Sequence, residues 1–293
     1  MKVLIVLVLY QVRLNESPAF RSLLTNGIGT EIVNDFELLV YDNGGQVWNE
    51  ARSQTGQYLY IKDPTNGGLV SAYNTALDIA NSKGFEWLLL LDQDTEIPKG
   101  VICRLKAVIG EVAKDAGVAA IVPKVYSGSL LISPMKVNFG WRLKKIELSF
   151  TGTVQNRITA VNSGSVIRVS FLNELGGFDN RFSLDYLDHW LFSEIHAASR
   201  SVYISEQILN HDLSVINFEK NVSNHRYGSI LAGEYQFFCQ CGTMDEWFSY
   251  LLRLIFRCFK QFLHTSTRSY AQMTYGQLKR VLHCCLYNTE KFR

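Results

Sequence analysis

The chain has 293 residues, 29 Lys and Arg against 27 Asp and Glu, with 47% apolar residues, 21 glycines and only 5 prolines. That composition belongs to a folded protein rather than a disordered tail, and a net charge of +2 excludes a uniform basic coat for nucleic acid. The charge is uneven: residues 220–293 hold ten Lys and Arg against four Asp and Glu, a balance of +6, which leaves −4 on the first 219.

Val3 to Leu9 is an unbroken apolar run of strand length, the pattern of a central strand covered on both faces. It is too short to span a bilayer and no small-x-small cleavage site follows it, so a cytoplasmic protein is expected. Ser17 and Pro18 supply an N-cap and a first-turn proline for a helix running to about Asn26-Gly27. A second strand, Glu37 to Tyr41, runs into Asp42-Asn43-Gly44-Gly45. A third, Tyr58 to Ile61, runs into Asp63-Pro64-Thr65-Asn66-Gly67-Gly68. Leu69 to Asn81 has helical periodicity, and a fourth strand, Trp87 to Leu91, ends in Asp92-Gln93-Asp94. Strand, polar loop and helix in repetition predict a doubly wound, mainly parallel α/β sheet. Ligands of such sheets bind at the carboxyl ends of the strands, where Tyr10, Asp42, Asn43, Asn66, Asp92 and Asp94 all fall.

Val118 to Val125 reads as a further strand, Val137 to Thr153 as an irregular or hairpin region, and Ile158 to Val169 as one more core strand. Arg181 to Ser199 reads as an amphipathic helix, and Val202 to Ile208 as a last strand ending at His211-Asp212. Past residue 220 the chain changes to long helices rich in aromatic and basic residues. Two parts are therefore expected: an α/β domain over residues 1–220 and a helical, basic-aromatic extension over 221–293. In the extension Arg253, Arg257 and Lys260 follow i, i+4, i+7 spacing on a strongly apolar helix. Such a helix either packs on the first domain or lies on an anionic membrane surface. Six cysteines form neither an even framework nor a zinc-type pair of motifs and read as thiols of a reducing compartment.

Asp92-Gln93-Asp94 carries the strongest chemical signal. Two carboxylates one residue apart, just past a buried strand, can aim hard oxygen ligands at one Mn²⁺ or Mg²⁺, which completes its shell with substrate phosphate and water. The same Asp-x-Asp is also an ordinary surface turn, as Asp-Asn-Gly-Gly and Thr-Asn-Gly-Gly are.

Taken together, these residues resemble the family 2 glycosyltransferases of the GT-A fold, and among them the rhamnosyltransferase-like branch that builds bacterial surface polysaccharides. The resemblance spans roughly residues 3 to 230. It rests on Tyr10-Gln11, Val40 to Gly45, Asn66 to Asn74, Leu91 to Asp94, Asn162 to Ser165, Gly176 to Phe182 and Leu184 to Trp190, in that order. It implies a GT-A-type, Rossmann-like mixed sheet flanked by helices, and a metal-dependent inverting transfer from a UDP- or dTDP-sugar to a lipid-linked or growing glycan acceptor. Tyr10, Asp42 and Asn43 would hold the base, with Asn66, Gly67, Gly68, Asn74, Asp92 and Arg226 around the rest of the nucleotide. Asp92, Asp94 and His211 would hold Mn²⁺ or Mg²⁺. Asp188 would be the general base, with Asp185 the alternative. His189-Trp190 and Ser193-Glu194 depart from the family pattern on the acceptor side.

Two other classes remain in view. A sugar-phosphate nucleotidyltransferase needs a glycine-rich basic loop after the first strand, and Val8 to Leu14 has no glycine. A non-catalytic glycan-binding or scaffolding relative predicts loss of the carboxylates, and Asp92, Asp94 and Asp188 are all present.

Overall fold

The computed structural model describes residues 2–29, 34–44, 58–210, 223–263 and 268–287. Within them a nine-stranded sheet runs in the order β3 (Leu59–Lys62), β2 (Phe36–Asp42), β1 (Val3–Leu9), β4 (Trp87–Asp92), β11 (Val166–Arg168), β5 (Val118–Ser127), β12 (Ser201–Asn210) and β9 (Gly152–Val154), with β6 (Leu130–Ser133) beside β5. Strands β1 to β4 are parallel, as is the β5–β12 pair. The inserted β11 and the edge strands β6 and β9 pair antiparallel to their neighbours. A second sheet of β10 (Ile158–Thr159), β7 (Met135–Asn138) and β8 (Arg142–Lys145) stands apart.

Strand geometry divides the core into two layers, because successive side chains point to opposite faces. From β1, Val3, Ile5, Leu7 and Leu9 enter one cluster and Leu4, Val6 and Val8 the other. The first layer is closed by α1 (Pro18–Thr25) and α3 (Val101–Val112); the helix α3 lies in a stretch to which no element was assigned from sequence. The second layer is closed by α2 (Gly68–Lys83), α4 (Val169–Leu175) and α5 (Leu187–Ala197). Behind it stand α6 (Asn224–Tyr235), a π-helical segment (Gln236–Cys241), α7 (Met244–Leu263) and α8 (Arg268–Tyr287), whose Tyr227, Phe237, Phe238 and Tyr250 belong to the same cluster.

Local signals explain many ends. The Ser17 hydroxyl accepts the Phe20 N–H at 3.2 Å and Pro18 opens α1, as capping chemistry requires. The expected strand Ile158 to Val169 is instead broken at Asn162-Ser163-Gly164, where Gly164 takes φ +85° and an added Cβ would lie 2.5 Å from Leu209. The halves become β10 and β11, in different sheets. The helix expected from Arg181 starts only at Leu187, because Tyr186 takes a left-handed φ of 67° and the Asp179 carboxylate holds the Arg181 backbone in a turn. The region from Val137 resolves into the β7–β8 hairpin followed by β9.

Candidate active site

The carboxyl ends of β1 to β4 converge on a framework of buried polar groups. Asp42 closes β2 with one carboxylate oxygen on the Tyr60 hydroxyl (2.7 Å) and the other on the Gly44 N–H (3.0 Å). Asn43 donates its N–H to the Leu9 carbonyl (2.8 Å) and accepts the Gly68 N–H on its side-chain oxygen (3.1 Å), joining the ends of β1 and β2 to the start of α2. Asp63, past β3, accepts from the Thr65 hydroxyl and N–H, the Gly67 N–H and the Tyr41 hydroxyl. The Thr65 hydroxyl and the two backbone N–H groups hold the Asp63 carboxyl down to about 2. Burial and then the neighbouring Asp63 push Tyr41 up to about 12.

Asn66, exposed and left-handed (φ 55°), forms the tip of this loop. Gly67 and Gly68 are required by close packing: a Cβ on Gly67 would lie 2.4 Å from the Ser71 hydroxyl, and one on Gly68 (φ +79°) 2.3 Å from the Ser183 carbonyl. The Leu69 N–H also donates to Ser183 (2.9 Å), so the loop meets the acidic segment before α5. Asn74 grips that segment's approach through both Phe178 backbone groups, at 2.8 and 2.9 Å.

The turn Asp92-Gln93-Asp94 is pinned from three sides. Ser163 accepts the Asp92 N–H (2.9 Å) and bonds the Thr95 hydroxyl (2.6 Å), the Gln93 side chain accepts the Tyr10 N–H (2.7 Å), and the Ser17 hydroxyl donates to the Gln93 carbonyl (2.6 Å). The break at Asn162-Ser163-Gly164 thus serves to hold this turn. Asp94 is exposed and Asp92 half-buried. His211 lies outside the described residues; the chain reaches it from Asn210, whose carbonyl accepts the Glu96 N–H (3.4 Å), two residues past Asp94. Among the described residues no three His, Cys, Asp or Glu side chains gather as a metal cluster. Two carboxylates on a strand end nonetheless fit Mg²⁺ or Mn²⁺, which uses one or two such ligands and draws the rest of its shell from phosphate and water.

Asp188 sits in the first turn of α5, its carboxylate accepting the His189 N–H at 2.7 Å, while His189 Nδ1 bonds the Thr159 hydroxyl at 2.7 Å. Tyr73 on α2 is a residue not singled out from sequence. Its hydroxyl is fully buried without a hydrogen-bond partner, and after burial itself the largest influences raising its pKa are Asp92 and then Asp188.

Asp185 and Arg226 meet each other. Arg226 forms an ion pair with the Asp185 carboxylate, and the Ser229 hydroxyl adds a bond at 3.1 Å. Burial raises the Asp185 pKa against the pull of Arg226. The next residue, Tyr186, reaches Glu234 through its hydroxyl (3.3 Å), and Glu234 is held by a two-pronged bridge to Arg257 (2.8 and 2.9 Å). The basic stripe read from the helix spacing is thereby split: Arg257 turns to Glu234, Arg253 stacks over the Phe238 ring at 4.8 Å, and Lys260 stays at the surface. Arg157, also missed, stacks on Trp141, pairs with the buried Glu246 and donates to Ser193 (3.1 Å), bringing a guanidinium against α5. Neither Arg157 nor Glu234 stands in a local pattern that marks it, whereas Tyr73 lies inside the Asn66 to Asn74 motif.

The mainly parallel sheet flanked by helices is a fold of the GT-A type. The sequence model of glycosyl transferase family 2 matches residues 14–176, and the chain belongs to that family. Comparison with curated proteins found no match. Among solved structures the chain is similar to S. aureus TarS 1-349 (TM-score 0.50, 13% identity, 95% of this chain and 90% of that one). It is also similar to the structure of GalNAc-T7 with UDP, GalNAc and Mn2+ (TM-score 0.57, 11% identity, 99% of this chain). The chain spans 57% of that GalNAc-T7 chain and 55% of a longer TarS structure.

Proposed function

We propose that this glycosyltransferase moves a hexose, rhamnose-like or otherwise, from a UDP- or dTDP-sugar to a hydroxyl of a lipid-linked or growing glycan, inverting the anomeric centre. The observation that supports the reading is the meeting of the strand-end loop with the segment that leads into α5, where the Leu69 N–H donates to the Ser183 carbonyl at 2.9 Å, so that a donor-side loop and the helix carrying Asp188 adjoin. Asp188 takes the acceptor proton as the acceptor oxygen bonds the anomeric carbon. The bond from that carbon to the diphosphate oxygen breaks, and its electron pair leaves with the nucleoside diphosphate. Asp92 and Asp94, with His211, would hold Mn²⁺ or Mg²⁺, whose charge offsets that of the leaving diphosphate. Asp42 and Asn43 hold the base edge beside Tyr10. Asp185 serves as a positioning residue through Arg226, since two donors already occupy its carboxylate.

The test is nucleoside diphosphate release from a panel of UDP- and dTDP-sugars with Mn²⁺ and a glycan acceptor. Asp188→Asn and Asp94→Ala are each expected to lower kcat by about a hundredfold or more. Equal release by both variants and the unaltered enzyme overturns the assignment.

A further inference from the structure

Helix α7 buries Trp247, Tyr250, Leu254 and Cys258 against the protein and leaves Phe248, Leu252, Ile255, Phe256, Phe259 and Leu263 exposed along the opposite side. The exposed set recurs at three- and four-residue steps, a continuous apolar stripe. Phe256 and Phe259 are 71% and 64% exposed, far beyond what a scattered surface residue needs. The helix is therefore apolar on two faces, and among the described residues only one of them is packed against the rest of the protein.

The charges around the stripe identify its occupant. Between Glu246 and Glu290 the sequence contains no Asp or Glu, whereas Lys260 stands on α7 one residue past Phe259 and four past Phe256, and Arg268 and Lys279 are exposed on α8. The β7–β8 hairpin extends the surface. Its Gly140 N–H donates to Asp245 (2.7 Å) and Gly140 packs on Ser249, which brings exposed Phe139 and the exposed Arg142 of the hairpin tip to the start of α7. A second copy on this stripe would set Lys260, Arg268 and Lys279 against their own counterparts, and from residue 247 to 289 the sequence offers no carboxylate to meet them. An anionic bilayer accepts both features, taking the rings among its acyl chains and the cations at its headgroups. No helix among the described residues is long and apolar enough to cross a membrane, so the contact is one of lying on the surface.

We propose that the exposed face of α7, with the β7–β8 hairpin tip, docks this protein on the surface of an anionic phospholipid bilayer. The docking requires neither donor nor acceptor and stands apart from the transfer chemistry. The experiment is flotation of the full chain with phosphatidylcholine vesicles with and without phosphatidylglycerol, beside light scattering in the absence of lipid. The unaltered chain is expected to float with the phosphatidylglycerol vesicles, less so in high salt. Phe256→Ser with Phe259→Ser should weaken binding about tenfold or more, and Lys260→Glu should weaken it less while sparing the fold, checked by circular dichroism. A Phe256→Trp variant reads insertion directly as a blue shift of its emission on adding the vesicles. Absence of flotation, or flotation equal for the double-serine variant, overturns the proposal. So does a dimer of the unaltered chain that the serine pair makes monomeric without a change in lipid binding.

Discussion

Asp63 shows what one side chain contributes to the donor end of the sheet. Four donors surround its carboxylate, and its pKa falls to about 2 from an ordinary 3.8. A lowered folded-state pKa gives stability that is present above the ordinary value and lost as pH falls through the folded one. The unaltered protein should therefore lose melting temperature between about pH 4 and about pH 2 more steeply than Asp63→Asn, which starts lower at neutral pH and has a flatter acid limb. Melting curves by circular dichroism across that range decide it, and parallel slopes would remove Asp63 as the group responsible. The position of Asp42 and Asn43 at the end of β2 was legible in the sequence because both follow directly on an apolar run. The lowered pKa of Asp63 was not, since Asp-Pro-Thr-Asn-Gly-Gly reads equally as an ordinary turn, and nothing in it records that the Thr65 hydroxyl and the Thr65 and Gly67 N–H groups close on one carboxylate while Tyr41 adds a bond from 22 residues away.

Between residue and whole lies the segment Ser183 to Tyr186, which turns the chain into α5 and presents Asp188. Its left-handed Tyr186 is held from behind by the helices that follow residue 223: Arg226 and Ser229 on Asp185, Glu234 on Tyr186, and Phe237 against the Tyr186 ring at 5.6 Å. Helical spacing groups Arg253, Arg257 and Lys260 in one stripe, but spacing identifies a face without saying what it faces, and the buried Glu234 that claims Arg257 stands one helix earlier. Arg257→Leu leaves that carboxylate buried without its cation, a change that costs about 3 kcal/mol or more in other proteins. Urea unfolding should show a loss of that order, and adding Glu234→Gln should restore part of it, because the stranded charge is then gone. A double variant no more stable than Arg257→Leu alone would mean that lost packing of the arginine stem dominates.

At the scale of the molecule the parallel half of the sheet was legible because each apolar run ends in turn residues and a helix, whereas the antiparallel β11 was not. Its three residues enter the sheet only because Gly164 permits a sharp reversal, and no periodicity records that. Composition changes near residue 220, but packing runs on across it. Trp141 from the hairpin meets Phe237 at 4.6 Å, and a buried network of Tyr227, Gln261, Thr274 and Gln277 ties α6, α7 and α8 together over the second core layer. Removing the helices would uncover Trp141 and Tyr186 and strand Asp185. At about 1.5–3 kcal/mol for each large apolar side chain, that loss rivals the about 5–15 kcal/mol that holds a typical domain folded. The full chain should thus unfold in one transition seen alike by far-ultraviolet circular dichroism and by tryptophan fluorescence, because Trp141 and Trp190 report the sheet side and Trp247 the helices. A chain ending at residue 222 should lose near-ultraviolet signal and bind a hydrophobic dye. Two resolved transitions, or a shortened chain with its native near-ultraviolet spectrum, would instead make the helices a separable unit and Asp188 independent of them.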